Sequence, residues 1–199
     1  MEEVNFWFSI GSTYTYLTVN RLHKVAAKEN IKFNWHPFSV RKIMMDMDNI
    51  PFTPPAKKIK SDYMWRDIER RAKFYGFEAK VPAPYPLKEF DLANQIAILG
   101  MNEGWGVDYV YKTYQRWFQQ GKEPATQPNL NEIFKELNLD SEETIKKANA
   151  QEIKDKYLAI LNMPTKKEFL EVLHLYMMAK KYFGAVSYTH LTLPTKLSV

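Results

Sequence analysis

The order of hydrophobic patterns in the N-terminal part of the chain limits the fold more than any other feature. Residues 4–10 are rich in aromatic and branched side chains and predict a buried strand. A helix is predicted from Thr13 to about Asn30. After it, Ile31, Phe33 and Trp35 alternate with polar residues, as in a half-buried strand. A strand, a helix and a second strand of these lengths predict a βαβ unit with a right-handed crossover.

Beyond these strands the hydrophobic spacing is helical almost to the C-terminus. Further helices are predicted at 59–74, 92–99, 107–118, 129–138, 141–149, 151–161 and 165–182. Two strands are too few to cover so much helix in a stable α/β layer. We therefore expect either that strands near the C-terminus complete the sheet or that part of the sheet is missing.

Composition excludes several classes of function. The 199 residues include no cysteine, so the chain forms no disulfide, thiolate zinc site or cysteine nucleophile, and it suits a cytoplasmic protein. We expect no membrane span, because no apolar run reaches about 18 residues, and no signal peptide. The net charge of +5 comes from lysines mixed with acidic residues. This mixture favours solvated helix faces over a nucleic-acid surface. No spacing of residues suggests a metal site.

Ser12 lies between the predicted strand and the predicted helix, directly after Gly11. This position places a hydroxyl at the positive end of a helix, where unpaired backbone N–H groups favour a bound anion. Residues 12–15 stand where a redox protein would carry a Cys-x-x-Cys motif. A thiolate at this site must therefore arrive on a cofactor. The alternative is that Ser12 is an ordinary N-cap.

The end of the chain differs from the rest. Residues 186–195 predict neither a helix nor a convincing core strand, and they look like one reading frame of a common sequencing-library adapter. We expect residues from about Val186 onward to be a non-native tail. The alternative is a genuine strand over 186–193.

Six segments, covering about residues 3–160, together resemble one family. They are Phe6 to Leu17, Trp35-His36-Pro37-Phe38, Asn49-Ile50-Pro51, Lys60 with Tyr63 to Arg71, Val81 to Pro86, and Tyr114-Gln115-Arg116-Trp117-Phe118. In order and spacing they resemble the 2-hydroxychromene-2-carboxylate isomerase family, which is related to kappa-class glutathione transferases within the DsbA-like thioredoxin superfamily. The chain departs from the family at Ser9, which is usually Asp, and at Thr13, which is usually Pro.

The resemblance implies an α/β protein with a thioredoxin-like fold that carries a large all-helical insertion domain. Residues 1–45 would form the N-terminal βαβ half, and residues 46–182 the helical insertion running toward the return to the thioredoxin part. Residues 186–199 would be the non-native tail. Since the resemblance stops at Ala185, we expect the C-terminal strands of the thioredoxin part to be missing.

The resemblance also implies a glutathione site. Ser12 matches the catalytic serine near the glutathione sulfur, and Asn49 and Lys60 match positions that help hold glutathione. The alternatives are a turn residue at Asn49 and a solvated lysine at Lys60.

Other residues have structural alternatives as well. Trp65, Tyr85 and Trp117 could wall an aromatic pocket, but we expect at least two of them to pack in the core. For Asp67, Arg70 and Arg71 we expect ion pairs, and for His36 a structural role.

The leading hypothesis is a glutathione-dependent isomerase of the 2-hydroxychromene-2-carboxylate or hydroxybenzylidene-pyruvate type. Its thiolate would add reversibly to a conjugated alkene of a small aromatic substrate. A kappa-like glutathione transferase and a non-catalytic thioredoxin-fold binding protein are the alternatives. We expect no nucleic-acid or membrane partner, and the resemblance implies a homodimer.

Overall fold

The N-terminal residues form the predicted βαβ unit. The structure, a computed structural model, describes residues 2–46 and 57–159. Strands β1 (Glu2–Phe8) and β2 (Ile31–Pro37) are parallel and are joined by helix α1 (Thr15–Glu29). Their register pairs Glu2 with Ile31 and Phe8 with Pro37. The crossover arises because a helix-period pattern separates two strand-period patterns.

Helices follow the two strands in the rest of the described chain. They are α2 (Val40–Asp46), α3 (Lys58–Phe74), α4 (Phe90–Glu103), α5 (Gly106–Gln120), α6 (Asn129–Glu136), α7 (Ser141–Ala148) and α8 (Gln151–Ala159). Helix α2 was not predicted, whereas α3 to α8 agree with the predicted helices to within a few residues. The helix predicted at 165–182, the C-terminal strands and the tail lie outside the described residues. None of the helices in the described ranges is long and apolar enough to cross a membrane.

The two faces of the strand pair differ in character. Phe6 and Phe8 are fully buried, and both rings meet Trp35 edge-on, with centroids at 4.9 and 5.5 Å. On the other face the Trp7 ring stacks on His36 at 4.5 Å. The buried face packs toward the helices, because alternate side chains of a strand point to opposite sides of the sheet.

Helices α4 and α5 form the centre of the hydrophobic core. Helix α4 is apolar almost all round and packs against α5, α7, α8 and β2, as expected of a helix enclosed by others. Helix α5 buries one face, which carries Tyr109, Tyr114, Trp117 and Phe118. One hydrophobic cluster joins these helices to β1 and α1. The helical part and the βαβ unit therefore share a core, which places α4 and α5 under the loop that follows β1.

Candidate active site

The loop between β1 and α1 requires glycine at position 11. Gly11 has a φ of +126°, and a Cβ atom placed there would lie 2.1 Å from the Phe90 ring at the start of α4. No other residue type combines this backbone conformation with so close an approach. The loop consequently lies directly on α4.

Two buried side chains hold the loop backbone. Asn94 of α4 accepts a hydrogen bond from the Ile10 N–H at 2.9 Å and donates one to the Ile10 carbonyl at 2.8 Å. The Tyr114 hydroxyl of α5 donates to the carbonyls of Ser9 at 2.8 Å and Ser12 at 3.2 Å. Burial raises the pKa of the Tyr114 phenol well above its usual range, so this donor stays protonated. These bonds fix the position of Ser12.

Asn94 is a site-positioning residue that the sequence analysis missed. In the sequence it is an asparagine within the apolar run of α4, and in the structure its side chain is fully buried. Asparagine is rarely left unpaired when buried, since burying an unsatisfied amide costs about 1–3 kcal/mol. A buried asparagine in such a run could have indicated a partner elsewhere in the chain, but not which one.

The N-cap alternative for Ser12 is wrong. Helix α1 begins at Thr15 and its N-cap is Tyr14, whose side chain makes no capping hydrogen bond. Ser12 lies two residues earlier and is only partly buried. Its hydroxyl has no hydrogen-bond partner within the described ranges, and it lines a cavity. The hydroxyl is thus available to a ligand.

The expectation of unpaired N–H groups at the start of the helix is wrong for three of these groups. The N–H groups of Thr15, Tyr16 and Leu17 already donate to the carbonyls of residues 12–14 at 3.1–3.3 Å. They form a tighter turn that leads into α1. These three amides are therefore engaged, whereas the Ser12 hydroxyl is available to a ligand in the cavity.

The cavity beside Ser12 has mostly apolar walls. Its volume is about 140 Å³, close to the ~150 Å³ of a protein cavity that binds benzene. It is therefore of a size for one aromatic ring. The lining residues are Gly11, Ser12, Thr13, Tyr14, Val40, Arg41, Met64, Tyr85, Pro86, Leu87 and Phe90. The loop, α2, α3, the proline-rich loop at 81–86 and α4 all contribute to it.

Of the other predicted glutathione contacts, one can be located. Lys60 is exposed on α3 and does not line the cavity. It lies one helical turn before Met64, which does line the cavity, and residues four apart share a side of a helix. Asn49 lies outside the described residues. The structure therefore does not bring Lys60 into the cavity with Ser12, and the roles predicted for Asn49 and Lys60 stay predictions.

The aromatic candidates divide between core and cavity. Trp117 is fully buried and donates from Nε1 to the Pro84 carbonyl at 2.8 Å. Trp65 is also buried and meets the Tyr85 ring edge-on at 5.9 Å. Tyr85 lines the cavity. Two of the three thus pack in the core, as expected.

The charged residues of α3 form the expected ion pairs. The buried Asp67 carboxylate accepts hydrogen bonds from Arg70 and Arg71 at 2.8 Å each, and from the Tyr14 hydroxyl at 3.2 Å. Burial alone would raise the pKa of Asp67. The hydrogen bonds from the two arginines outweigh this, and the net pKa is lowered. This cluster ties α3 to the loop at Tyr14.

His36 has the structural role expected of it. One ring nitrogen, Nε2, lies 3.0 Å from the amide oxygen of Asn5, and the ring stacks on Trp7. Burial lowers the pKa of its imidazole. The part of the chain that the structure describes contains no cluster of side chains fit to hold a metal ion.

A second missed residue is Arg41, the only charged side chain that lines the cavity within the described residues. It lies in the first turn of α2 and donates from Nη1 to the Leu87 carbonyl at 3.3 Å. Its guanidinium lies 5.9 Å from the centre of the Phe90 ring. Because α2 is short and was not predicted, the sequence offered no reason to place this arginine beside Ser12.

The fold and the site together define a class of protein. A parallel βαβ unit, helices packed on its core, and a serine on the loop where redox relatives carry a cysteine describe a thioredoxin-like domain without its thiol. The chain belongs to the DSBA-like thioredoxin domain family, whose model matches residues 3–159. The predicted superfamily is confirmed.

Two similar proteins carry the same name. A 2-hydroxychromene-2-carboxylate isomerase of Pseudomonas putida is 26% identical over 89 residues, which cover 45% of this chain and 44% of that protein. The match thus spans less than half of that relative. A solved structure of selenomethionine 2-hydroxychromene-2-carboxylate isomerase has a TM-score of 0.67 and 21% identity. The match covers 78% of this chain and 75% of the chain in that structure. Both matches agree with the predicted resemblance, and the second confirms the predicted fold class.

Proposed function

We propose that the protein is a glutathione-dependent isomerase that acts on small aromatic substrates with a conjugated alkene. The observation that carries the proposal is the Ser12 hydroxyl, which lines an apolar cavity and has no partner within the described residues. The names of the two similar proteins support an isomerase. The absence of cysteine supports an external thiol.

The Ser12 hydroxyl suits a thiolate because it is a hydrogen-bond donor in a cavity with mostly apolar walls. When bound, glutathione supplies a thiolate that adds reversibly to a conjugated alkene, so that the former double bond can rotate before the thiolate leaves. Ser12 would donate its hydroxyl hydrogen bond to the sulfur. A hydrogen bond to a charged group contributes about 1.5 kcal/mol or more, which lowers a thiol pKa by about one unit.

The surroundings of Ser12 would hold this donor in place. Tyr114 and Asn94 fix the loop backbone, so the hydroxyl needs no rearrangement to meet a sulfur. Such preorganised donors are effective because the cost of ordering them is met during folding. The apolar walls formed by Met64, Leu87 and Phe90 would receive the aromatic ring and exclude water from the reacting carbons.

The experiment is a comparison of Ser12→Ala with the wild-type protein. We expect calorimetry to show that the wild type binds glutathione and S-hexylglutathione, and ultraviolet absorbance to show bound thiolate near neutral pH. Ser12→Ala should raise the pKa of the bound thiol by about one unit while S-hexylglutathione still binds. Ser141→Ala, which removes a partly buried hydroxyl at the start of α7 that does not line the cavity, is the matched control.

Each outcome separates the candidate functions. Equal thiolate signals in wild type and Ser12→Ala contradict the role of Ser12. Binding of glutathione without isomerisation of 2-hydroxychromene-2-carboxylate, but with consumption of an electrophile, identifies a transferase. If a version that carries the family's C-terminal strands binds neither glutathione ligand, the protein is instead a non-catalytic binding protein.

A further inference from the structure

Helix α3 has an exposed row of large side chains on its outer face. Every residue of this helix is described. Six large hydrophobic side chains are exposed in the described ranges, and three of them belong to α3. They are Ile59, Tyr63 and Phe74, with exposed fractions of 86%, 63% and 81%. Their intervals of four and eleven residues return to the same side of a helix. Apolar side chains gathered on one face, rather than scattered singly, are typical of a binding surface.

The composition of this face favours a protein partner. The opposite side of α3 already packs in the hydrophobic core of the chain, so the exposed row is not needed for that packing. Arg70 lies in the same row between Tyr63 and Phe74, and its side chain is 72% exposed. Tyrosine, phenylalanine and arginine are residue types enriched at protein–protein interfaces.

A row of charged residues runs beside the apolar row. Asp62, Arg66, Glu69 and Lys73 are all exposed, and their spacings of four, three and four residues keep them on one side of the helix. Within the described residues no ion pair involves Arg66, Glu69 or Lys73. The signs alternate along the row, so the row read from its other end has the opposite sign at each position. The charged row is therefore complementary to its own reverse.

The apolar row is complementary to its own reverse as well. In an antiparallel pair of α3 helices with a two-fold axis at Asp67, Ile59 of one copy would face Phe74 of the other to within one residue, about 1.5 Å along the helix. Tyr63 would face Arg70, which places a guanidinium against an aromatic ring. The same axis would pair each residue of the charged row with one of opposite sign. A parallel pair would instead place every charge opposite its own copy, which is unfavourable.

We propose that the outer face of α3 docks a second copy of this chain, in a two-fold symmetric dimer of antiparallel α3 helices. This assigns a surface and a register to the homodimer, which the resemblance to the family did not. None of the side chains in the two rows lines the cavity, so the proposal does not rest on the proposed function. One helix from each copy buries less than the about 1,600 Å² of a standard interface, so we expect a Kd in the micromolar range.

The first measurement is sedimentation velocity of the full-length wild-type protein at concentrations from about 1 μM to about 1 mM. We expect the sedimentation coefficient to rise with concentration as monomer is converted to dimer. A wild-type protein that stays monomeric over this whole range overturns the proposal.

The second measurement separates α3 from other surfaces. Phe74→Ser should raise the Kd of the dimer at least about tenfold, because each dimer loses two apolar contacts. Val107→Ser, which removes an exposed apolar side chain of α5, is the matched control and should leave the Kd within about twofold of wild type. A dimer that neither variant weakens, or that both weaken alike, uses another surface and overturns the proposal.

Charge reversal tests the register of the two helices. Arg66→Glu places like charges opposite each other at two symmetric positions, and it should weaken dimerisation about tenfold at low salt. Glu69→Arg should have the same effect. The double variant with Arg66→Glu and Glu69→Arg restores opposite signs across the axis and should return the Kd to within about threefold of wild type. A double variant no tighter than the single variants contradicts the proposed register.

The absence of cysteine allows a direct test of the contact between Ile59 and Phe74. Ile59→Cys and Phe74→Cys, mixed under mild oxidation, should form a disulfide-linked dimer that contains one copy of each variant. Each variant alone should be linked far more slowly, because the antiparallel arrangement holds the two copies of one position more than about 20 Å apart. Equal linking in the mixture and in the single variants overturns the arrangement.

An anionic lipid surface is the other occupant that basic and aromatic side chains can suit. We expect the wild-type protein not to cosediment with vesicles of phosphatidylserine and phosphatidylcholine. Vesicle binding that Phe74→Ser abolishes, in a wild-type protein that stays monomeric, would assign the outer face of α3 to a membrane and overturn the dimer.

Discussion

Helix α5 makes two different kinds of polar contact on its two sides. On the inner side the buried Tyr114 hydroxyl bonds to carbonyls of the loop that carries Ser12. On the outer side Arg116 pairs with Glu132 and Glu136 of α6, whose side chains are 42% and 41% exposed. The inner contacts join uncharged groups that are buried, whereas the outer contacts join charged groups whose carboxylates are partly exposed to water. Charge is therefore a poor guide to which contacts hold the site together, because water and salt weaken exposed ion pairs.

The largest expected effect is at Asn94 of α4, which bonds to the same loop as Tyr114. Asn94→Ala leaves both the N–H and the carbonyl of Ile10 without a partner in the core. We expect a loss of about 2–4 kcal/mol in the free energy of unfolding, since each buried unsatisfied group costs about 1–3 kcal/mol. Denaturant unfolding measures it. The control is Asn149→Ala, which removes an exposed amide bond to Ile145 and should cost much less. Equal losses of unfolding free energy in the two variants would show that burial of the amide does not determine the cost.

The next effect is at Tyr114 itself. Tyr114→Phe removes the donor to the Ser9 and Ser12 carbonyls and should cost about 1–2 kcal/mol of unfolding free energy. It should also weaken S-hexylglutathione binding, because Ser12 loses a support. Tyr109→Phe is the control, since Tyr109 is equally buried on α5 but bonds to Ala93 at 3.3 Å. If both variants bind S-hexylglutathione alike, Tyr114 does not position the site.

Asp67 is a buried charged residue of α3 that accepts a hydrogen bond from Tyr14 in the same loop, so it tests whether burial or charge matters more. Its pKa is lowered on folding from an ordinary value of 3.8. Its stabilisation is therefore fully present above about pH 4 and is lost as the pH falls through the lower, folded-state pKa. We expect Asp67→Asn to flatten the decline of melting temperature below about pH 4. Asp155→Asn, at an exposed carboxylate of α8, should leave the profile as in the wild type.

The smallest effect is expected on the outer side. Glu136→Gln breaks the contacts with Lys112 and Arg116. It should change the free energy of unfolding by less than about 0.5 kcal/mol, and by less still in high salt. A loss as large as that of Tyr114→Phe would reverse the ranking of the two sides of α5.

The sequence was sufficient where local pattern determines structure. The strand–helix–strand order and the helices α3 to α8 were predicted because their hydrophobic periodicities are long and regular. Helix α2 was not predicted. It has only seven residues, and so short a helix depends on tertiary contacts rather than on propensity.

The site was predicted only in part, because only one of its residues lies in a local sequence pattern. Ser12 could be identified because it lies at a junction between a strand and a helix, which is visible in the sequence. The bonds of Asn94 to Ile10 join residues that are 84 positions apart in the sequence. Arg41 and Leu87, which meet at the cavity, are 46 positions apart. A single sequence contains no local signal for such pairs, and their effect on Ser12 emerges only from the packing of α4 and α5.

The contact between Gly11 and Phe90 has a consequence for how the family can vary. Because the phenyl ring occupies the space that a side chain at position 11 would need, the two positions form one steric unit. A change at position 11 alone is blocked, and a smaller residue at position 90 alone would leave a gap beneath the serine loop. Because the φ of +126° strains any side chain at position 11 even where space is opened, related sequences should keep glycine at position 11 when the residue at position 90 becomes smaller.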